Sequence, residues 1–130
     1  MEKEFIQYEQ ALALKELGFD EPCLGFRKED GIFEFFGTPD RDNSNTMFGF
    51  YPTAPLYQQT FRWFKEKYGL YSQIGRCMGI VKEAYFVEIH TLQENLGIYD
   101  ENEEQIIFNS SEIAEFESLK KLIEIVKEQK

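Results

Sequence analysis

One histidine and two cysteines are the residues of this sequence best suited to nucleophilic chemistry. A catalytic thiolate needs a neighbouring base and partial exposure to solvent. A β-hairpin that turns at Glu83 and Ala84 would place Cys77 opposite His90, with Glu88 on the same face of the sheet and with Val87 and Ile89 on the other, buried face. Cys77 and His90 are therefore the candidate catalytic residues of a small enzyme. The sequence shows neither a third orienting group nor an oxyanion-stabilising group for this pair.

Two acidic runs have part of the spacing of a calcium-binding loop. Asp100, Asn102 and Glu104 match positions 1, 3 and 5 of an EF-hand loop, and the run that begins with Asp40 and Asp42 does the same. Both runs lack the Gly at position 6 and the Glu at position 12. A single His excludes a multi-His metal site, and nucleotide-binding and hydrolase motifs are absent from the sequence. We expect no metal and no cofactor.

The net charge of −10 comes from one part of the chain. Between Glu83 and Leu119 there are ten acidic side chains and no Lys or Arg, whereas the remaining acidic and basic residues balance. Such a block repels phosphate backbones, so we do not expect direct nucleic-acid binding, and it attracts a basic protein. The candidate binding residues in the block are Glu94, Asp100, Glu101, Glu103 and Glu104.

Aromatic residues follow a helical spacing after Pro55. Tyr57, Phe61, Phe64 and Tyr68 recur at i, i+4, i+7 and i+11 and predict the buried face of a helix, which Trp63 extends sideways. We expect Trp63 in the core or at its edge. Trp63 and Tyr57 are also candidate binding residues, and an exposed Trp63 would be an anchor for a protein partner rather than a platform for stacking bases.

Length and composition indicate one folded domain over residues 1–130. The chain is 42% hydrophobic and 16% aromatic, which is too apolar for a disordered acidic segment. No apolar run approaches the roughly 20 residues that span a bilayer, and two distant cysteines match neither a disulfide framework nor a CxxC pair. We expect a cytoplasmic protein with reduced thiols and no membrane association.

Hydrophobic periodicity and turn residues predict the order α-β-β-α-β-β-(β)-α. The predicted helices cover residues 5–17, 55–68 and 111–127, and the last is capped by Asn109 with Glu112. The predicted strands cover residues 23–27, 32–36, 71–80 and 85–92, with 105–108 as the optional strand in parentheses, and residues 47–51 of the long connection resemble a brief strand. We expect an α+β domain with its helices on one face of an antiparallel sheet.

An internal repeat underlies this order. The segment CLGFRKEDGIFEF, residues 23–35, matches CMGIVKEAYFVEI, residues 77–89, without a gap at an offset of 54. A predicted helix that ends in Gly precedes each segment. The sequence thus predicts an α-β-β unit that occurs twice.

Three segments carry a resemblance to a known group of proteins. They are EQALALKELGFDEPC from Glu9, APLYQQTFRWFKEKYGLY from Ala54 and LKKLIEIVK from Leu119, together about a third of the chain. In these segments the chain resembles a family of small uncharacterised proteins of gut Bacteroidetes and their mobile elements or phages. The resemblance implies a bacterial cytoplasmic setting and no established activity.

These observations favour a noncatalytic protein-interaction module that binds a protein partner or a second copy of itself. A more specific version is an acidic decoy that mimics nucleic-acid charge and occupies a basic protein. The alternative is the small enzyme with the Cys77 and His90 pair.

Overall fold

The computed structural model describes residues 2–36, 43–49, 51–77, 84–91, 95–99 and 105–129. A short 3-10 helix spans Glu2–Glu4. The α-helices are α1 (Tyr8–Glu16), α2 (Asn45–Phe48), α3 (Tyr57–Tyr68) and α4 (Ser111–Glu128). The strands are β1 (Gly25–Arg27), β2 (Phe33–Phe35), β3 (Tyr71–Arg76), β4 (Tyr85–His90) and β5 (Asn95–Gly97).

The α+β class predicted from the sequence is confirmed. Helices pack against antiparallel strands, and the described strands form two sheets, β1-β2 and β3-β4-β5, where we expected one. The chain divides within α3 into two compact units, residues 1–59 and residues 60–130. The single domain stays a prediction.

Glycines end α1 and α3 as their positions predict. Gly18 has φ +94°, and its N–H donates to the carbonyl of Lys15 while that of Phe19 donates to Leu14. This is the double hydrogen bond of a Schellman motif, which favours Gly at the left-handed position. Gly69 ends α3 in the same left-handed conformation at φ +67°.

The first hairpin forms as predicted around Asp30 and Gly31. Phe26 lies opposite Glu34, and the Asp30 carboxylate accepts a hydrogen bond from the N–H of Ile32. On its other edge β1 forms an antiparallel bridge from Phe26 to Thr53. The 52–54 segment thereby supplements the two-stranded sheet of the first unit.

The resemblance of residues 47–51 to a brief strand is misleading, because residues 45–48 form α2. The hydroxyl of Ser44 accepts from the N–H of Met47, and the carboxylate of Asp20 accepts from that of Thr46. Two side chains therefore satisfy the first amides of a four-residue helix. Asn45 is buried and bridges the Phe19 carbonyl and the Thr53 N–H, so it holds α2 in place.

In the second unit, α4 covers one face of the three-stranded sheet. Its buried residues are Ala114, Ser118, Leu119, Leu122, Ile123, Ile125 and Val126. Val87 and Ile89 of β4 are buried, as we predicted, and the hydroxyls of Ser72 in β3 and Ser118 are hydrogen-bonded. Ser72, Val87 and Ile89 share the face of the sheet that α4 covers.

Two predicted details near α4 differ. The N-cap is Ser110, whose hydroxyl accepts from the N–H of Ile113, and not Asn109. The strand predicted at residues 105–108 is reduced to two isolated bridges, in which Gln105 pairs with Tyr99 and Phe108 with Tyr85.

The order helix, strand, strand occurs in both units, but the strand pairing does not follow the repeat offset of 54. Phe33 pairs with Arg27 in the first hairpin, whereas Val87, its counterpart at that offset, pairs with Ile74. Residues 78–83 of the second copy lie outside the described residues. The internal repeat stays a prediction.

Candidate functional site

The pairing of β3 with β4 separates the two predicted catalytic residues. His90 lies opposite Tyr71, and Cys77 reaches the other end of the hairpin, where its N–H donates to the carbonyl of Ala84. Six positions along a strand correspond to about 20 Å. The prediction that Cys77 lies opposite His90 is therefore wrong.

The physical reason is the period of a β-strand. Side chains alternate between the two faces, so a register shifted by an even number of residues leaves every side chain on its predicted face. The observed register differs from the predicted one by six residues, and Val87 and Ile89 stay buried in both. Hydrophobic alternation therefore predicted the buried face of β4 but not the partner of each residue.

The face of the sheet opposite α4 carries a different set of side chains. We call it the Tyr71 face, and it comprises Tyr71, Gln73, Gly75, Phe86, Glu88 and His90. The Nε2 atom of His90 lies 2.9 Å from Oε2 of Glu88, and these side chains are 39% and 31% exposed. Tyr71 is 46% exposed, and the Lys65 ammonium lies 5.6 Å from the centre of its ring.

This geometry places the Glu88 carboxylate and Tyr71, rather than Cys77, beside His90. An Nε2–H that donates to the Glu88 carboxylate leaves Nδ1 of His90 as an acceptor. Tyr71 adds an aromatic ring and a hydroxyl beside it. Sequence reasoning missed Tyr71, because its place beside His90 depends on the register.

The two thiols have different environments. Cys23 is 2% exposed, and its burial raises the pKa of the thiol from 9.0 to about 12. A thiol with so high a pKa is protonated at neutral pH and is a poor nucleophile. Cys77 is half-buried, and neither cysteine is in a disulfide.

Tyr57 and Trp63 do not offer side chains to a partner, because both are buried. Trp63 packs edge-on against the rings of Phe64 and Tyr68, and the ammonium of Lys67 lies 5.0 Å from its ring. The prediction that Trp63 belongs to the core is confirmed. A binding role for these two residues requires exposed side chains, so the structure does not support that prediction.

The acidic candidates Glu94, Asp100, Glu101, Glu103 and Glu104 lie outside the described residues, as do Asp40 and Asp42 of the other calcium-like run. In the sequence these five acidic candidates flank β5, which pairs with β4 at Glu88 and His90. Within the described ranges, no three His, Cys, Asp or Glu side chains are grouped so that they could hold a metal ion.

No family model matches this chain, and neither the curated proteins nor the solved structures include a significant match. The resemblance to gut Bacteroidetes proteins stays a prediction. Within the described part of the chain, none of the helices has the length and apolar character needed to cross a membrane.

Proposed function

We propose that this chain is a noncatalytic protein-interaction module that binds a basic protein through the Tyr71 face and the acidic residues that flank it in the sequence. The observation that carries the proposal is the position of Tyr71, which is 46% exposed on the sheet face opposite α4 and lies directly across from His90. Tyrosine is enriched at binding surfaces because one ring supplies both apolar contact and a hydrogen bond.

Charge supports a basic partner. The block from Glu83 to Leu119 contains ten carboxylates and no Lys or Arg, and Glu88 on the Tyr71 face belongs to it. Opposite charges accelerate the encounter of two proteins and select against wrong partners. A decoy that mimics nucleic-acid charge is the narrower version of this proposal, and it rests in addition on the resemblance to mobile-element proteins.

The test is quantitative affinity capture from the native host with three baits: the unchanged chain, the double variant Tyr71→Ser with His90→Ser, and the control Leu12→Ser. Leu12 is 36% exposed on α1 in the first unit, so the control removes a surface apolar side chain elsewhere. We expect a basic protein that the unchanged bait and the control retain and the double variant loses.

Salt dependence and competition with nucleic acid separate the versions of the proposal. Retention of the partner should fall steeply with ionic strength because screening weakens exposed charge pairs. A partner that also binds nucleic acid competitively with this chain would support the decoy. Capture that the double variant does not reduce, or that salt does not affect, would contradict binding through this face.

A further inference from the structure

The first unit has a cluster of half-buried aromatic rings on one face of its hairpin. We call it the Phe26 cluster, and it consists of Phe26, Phe36, Phe48 and Tyr51. The ring of Phe26 is stacked on that of Tyr51 at 5.6 Å and lies 4.8 Å from that of Phe48. Two strands, α2 and the segment after it therefore bring their rings to one place.

Exposed apolar residues adjoin the cluster. Met47 precedes Phe48 in α2 and is 63% exposed, and Leu24, whose carbonyl accepts from the N–H of Phe36, is 38% exposed. Half-buried rings next to exposed aliphatic side chains are typical of a contact surface, because isolated surface apolar residues do not converge in this way. On the opposite face of the hairpin, Phe33 is buried against the ring of Phe5, whereas Phe35 is 50% exposed.

Carboxylates lie at the margin of the cluster. Glu34 is directly opposite Phe26, and Asp20 accepts a hydrogen bond from Thr46, the neighbour of Met47. The hydrogen bonds from Thr46 lower the pKa of Asp20, which keeps this carboxylate ionised. The unit as a whole has eleven acidic and five basic residues.

Among the described residues, the basic side chains of β1 and the turn that follows it are engaged. Lys28 forms an ion pair with Glu34 at 2.9 Å, and Arg27 is buried with its guanidinium hydrogen-bonded to main-chain carbonyls. The margin of the cluster is thus more negative than positive among the described residues. Two copies of this chain that met through the cluster would bring their Asp20 carboxylates together, and like charges oppose such a contact.

We propose that the Phe26 cluster is a docking site for an amphipathic basic segment of a partner protein, with apolar side chains on the rings and Lys or Arg beside Asp20. The inference rests on the proposed function for the class of partner, a basic protein. It assigns a second surface, in residues 1–59, that the Tyr71 face does not include.

The test measures binding of two synthetic peptides to the full chain by amide chemical-shift mapping. One peptide is an amphipathic sequence of Lys and Leu, and the other has Glu in place of every Lys. We expect the basic peptide to shift amides of residues 24–26, 34–36 and 46–49, and the acidic peptide to shift none of them.

Matched variants locate the site. Leu24→Ser combined with Met47→Ser should weaken binding of the basic peptide about fivefold or more, whereas the control pair Leu12→Ser with Ile113→Ser, also exposed, should leave it unchanged. Asp20→Asn keeps the acceptor for the Thr46 N–H but removes the charge, so it should weaken binding at low salt about twofold, and Glu9→Gln on α1 is its control.

Three outcomes would overturn the inference. Amide shifts confined to residues 60–130 would leave the proposed function intact and remove this second surface. Equal affinity of the two peptides would show that basic chemistry is not required. A dimer in sedimentation that Leu24→Ser with Met47→Ser abolishes would show that the occupant is a second copy of the chain.

Discussion

The Nε atom of Arg27 donates a hydrogen bond to the main-chain carbonyl of Ile6 at 3.0 Å, across 21 residues of sequence. The other guanidinium nitrogens donate to the carbonyls of Gly31 at 3.0 Å and Phe5 at 3.3 Å. The side chain is 8% exposed and lies over the ring of Phe33. One buried cation therefore joins the N-terminal segment to both ends of the first hairpin turn.

Arg27→Lys should destabilise the chain by about 2–4 kcal/mol, because a single ammonium cannot satisfy three carbonyls that the planar fork reaches together. Urea denaturation measures the loss of unfolding free energy. The control is Arg62→Lys, since the Arg62 side chain is 63% exposed, and that change should stay within about 0.5 kcal/mol. Equal effects at the two positions would show that the buried hydrogen bonds of Arg27 contribute little.

The N-terminus of α4 allows a similar comparison between neighbours. Ser110→Ala should lower the unfolding free energy by about 1 kcal/mol, because the Ser110 hydroxyl accepts from the N–H of Ile113. Asn109→Ala is the matched control, because Asn109 precedes the cap. Thermal or urea unfolding of the two variants compares the positions directly. A larger loss of unfolding free energy for Asn109→Ala than for Ser110→Ala would show that Asn109 is the N-cap, as predicted from the sequence.

Two strand glycines lie under phenylalanine rings and should respond differently to a methyl group. A Cβ at Gly75 would come within 2.3 Å of the Phe86 ring, and its three nearest atoms all belong to the far end of that half-buried side chain. A Cβ at Gly25 would also come within 2.5 Å of the Glu34 carbonyl, which belongs to the backbone. We expect Gly25→Ala to cost about 1–3 kcal/mol and Gly75→Ala to cost less. A larger loss of unfolding free energy for Gly75→Ala than for Gly25→Ala in urea denaturation would contradict this interpretation of the two hairpins.

Burial of Cys23 predicts both its reactivity and a dependence of stability on pH. In the folded chain at pH 8, a thiol reagent should label Cys77 and leave Cys23 unmodified until denaturant is added, which peptide mass spectrometry resolves. The raised pKa of Cys23 means that folding protects a proton which the unfolded chain loses above pH 9.0. The contribution of the protonated Cys23 thiol to the free energy of unfolding is therefore complete below pH 9.0 and decreases as the pH rises toward about 12.

The slope of this loss is at most about 1.4 kcal/mol per pH unit for one proton. Other groups titrate in the same range, so the comparison is between the unchanged chain and Cys23→Ala. We expect the variant to lose less stability than the unchanged chain between pH 9 and pH 11. Parallel curves for the two proteins, or rapid labelling of Cys23 without denaturant, would show that this thiol is not protected.

Local signals predicted the parts of the fold that depend on nearby residues. The helix stops at Gly18 and Gly69 and the turn at Asp30 and Gly31 are found where the sequence places them, because each depends on a few adjacent residues. The short helix α2 could not be predicted in this way, because Asp20, which satisfies its Thr46 amide, lies 26 residues earlier.

The prediction that Cys77 lies opposite His90 was wrong for a related reason. The neighbours of His90 depend on the register of β3, and a two-residue alternation repeats identically after every even shift. Glu88 and His90 were expected on one face because they belong to the same strand, and this is confirmed at 2.9 Å. Cys77 and Tyr71 lie on the other strand of the hairpin, so only the structure decides which of them meets His90.

Disulfide trapping tests that register. Tyr71→Cys with His90→Cys, in a chain whose Cys77 is replaced by Ala, should oxidise to an intramolecular disulfide, because directly paired strand residues have Cα atoms within about 6 Å. His90→Cys with the native Cys77 should stay reduced under the same conditions, since about 20 Å separates six strand positions. Non-reducing electrophoresis after proteolysis distinguishes the products. A bridge between residues 77 and 90, and none between residues 71 and 90, would restore the register in which a thiol and an imidazole could act together.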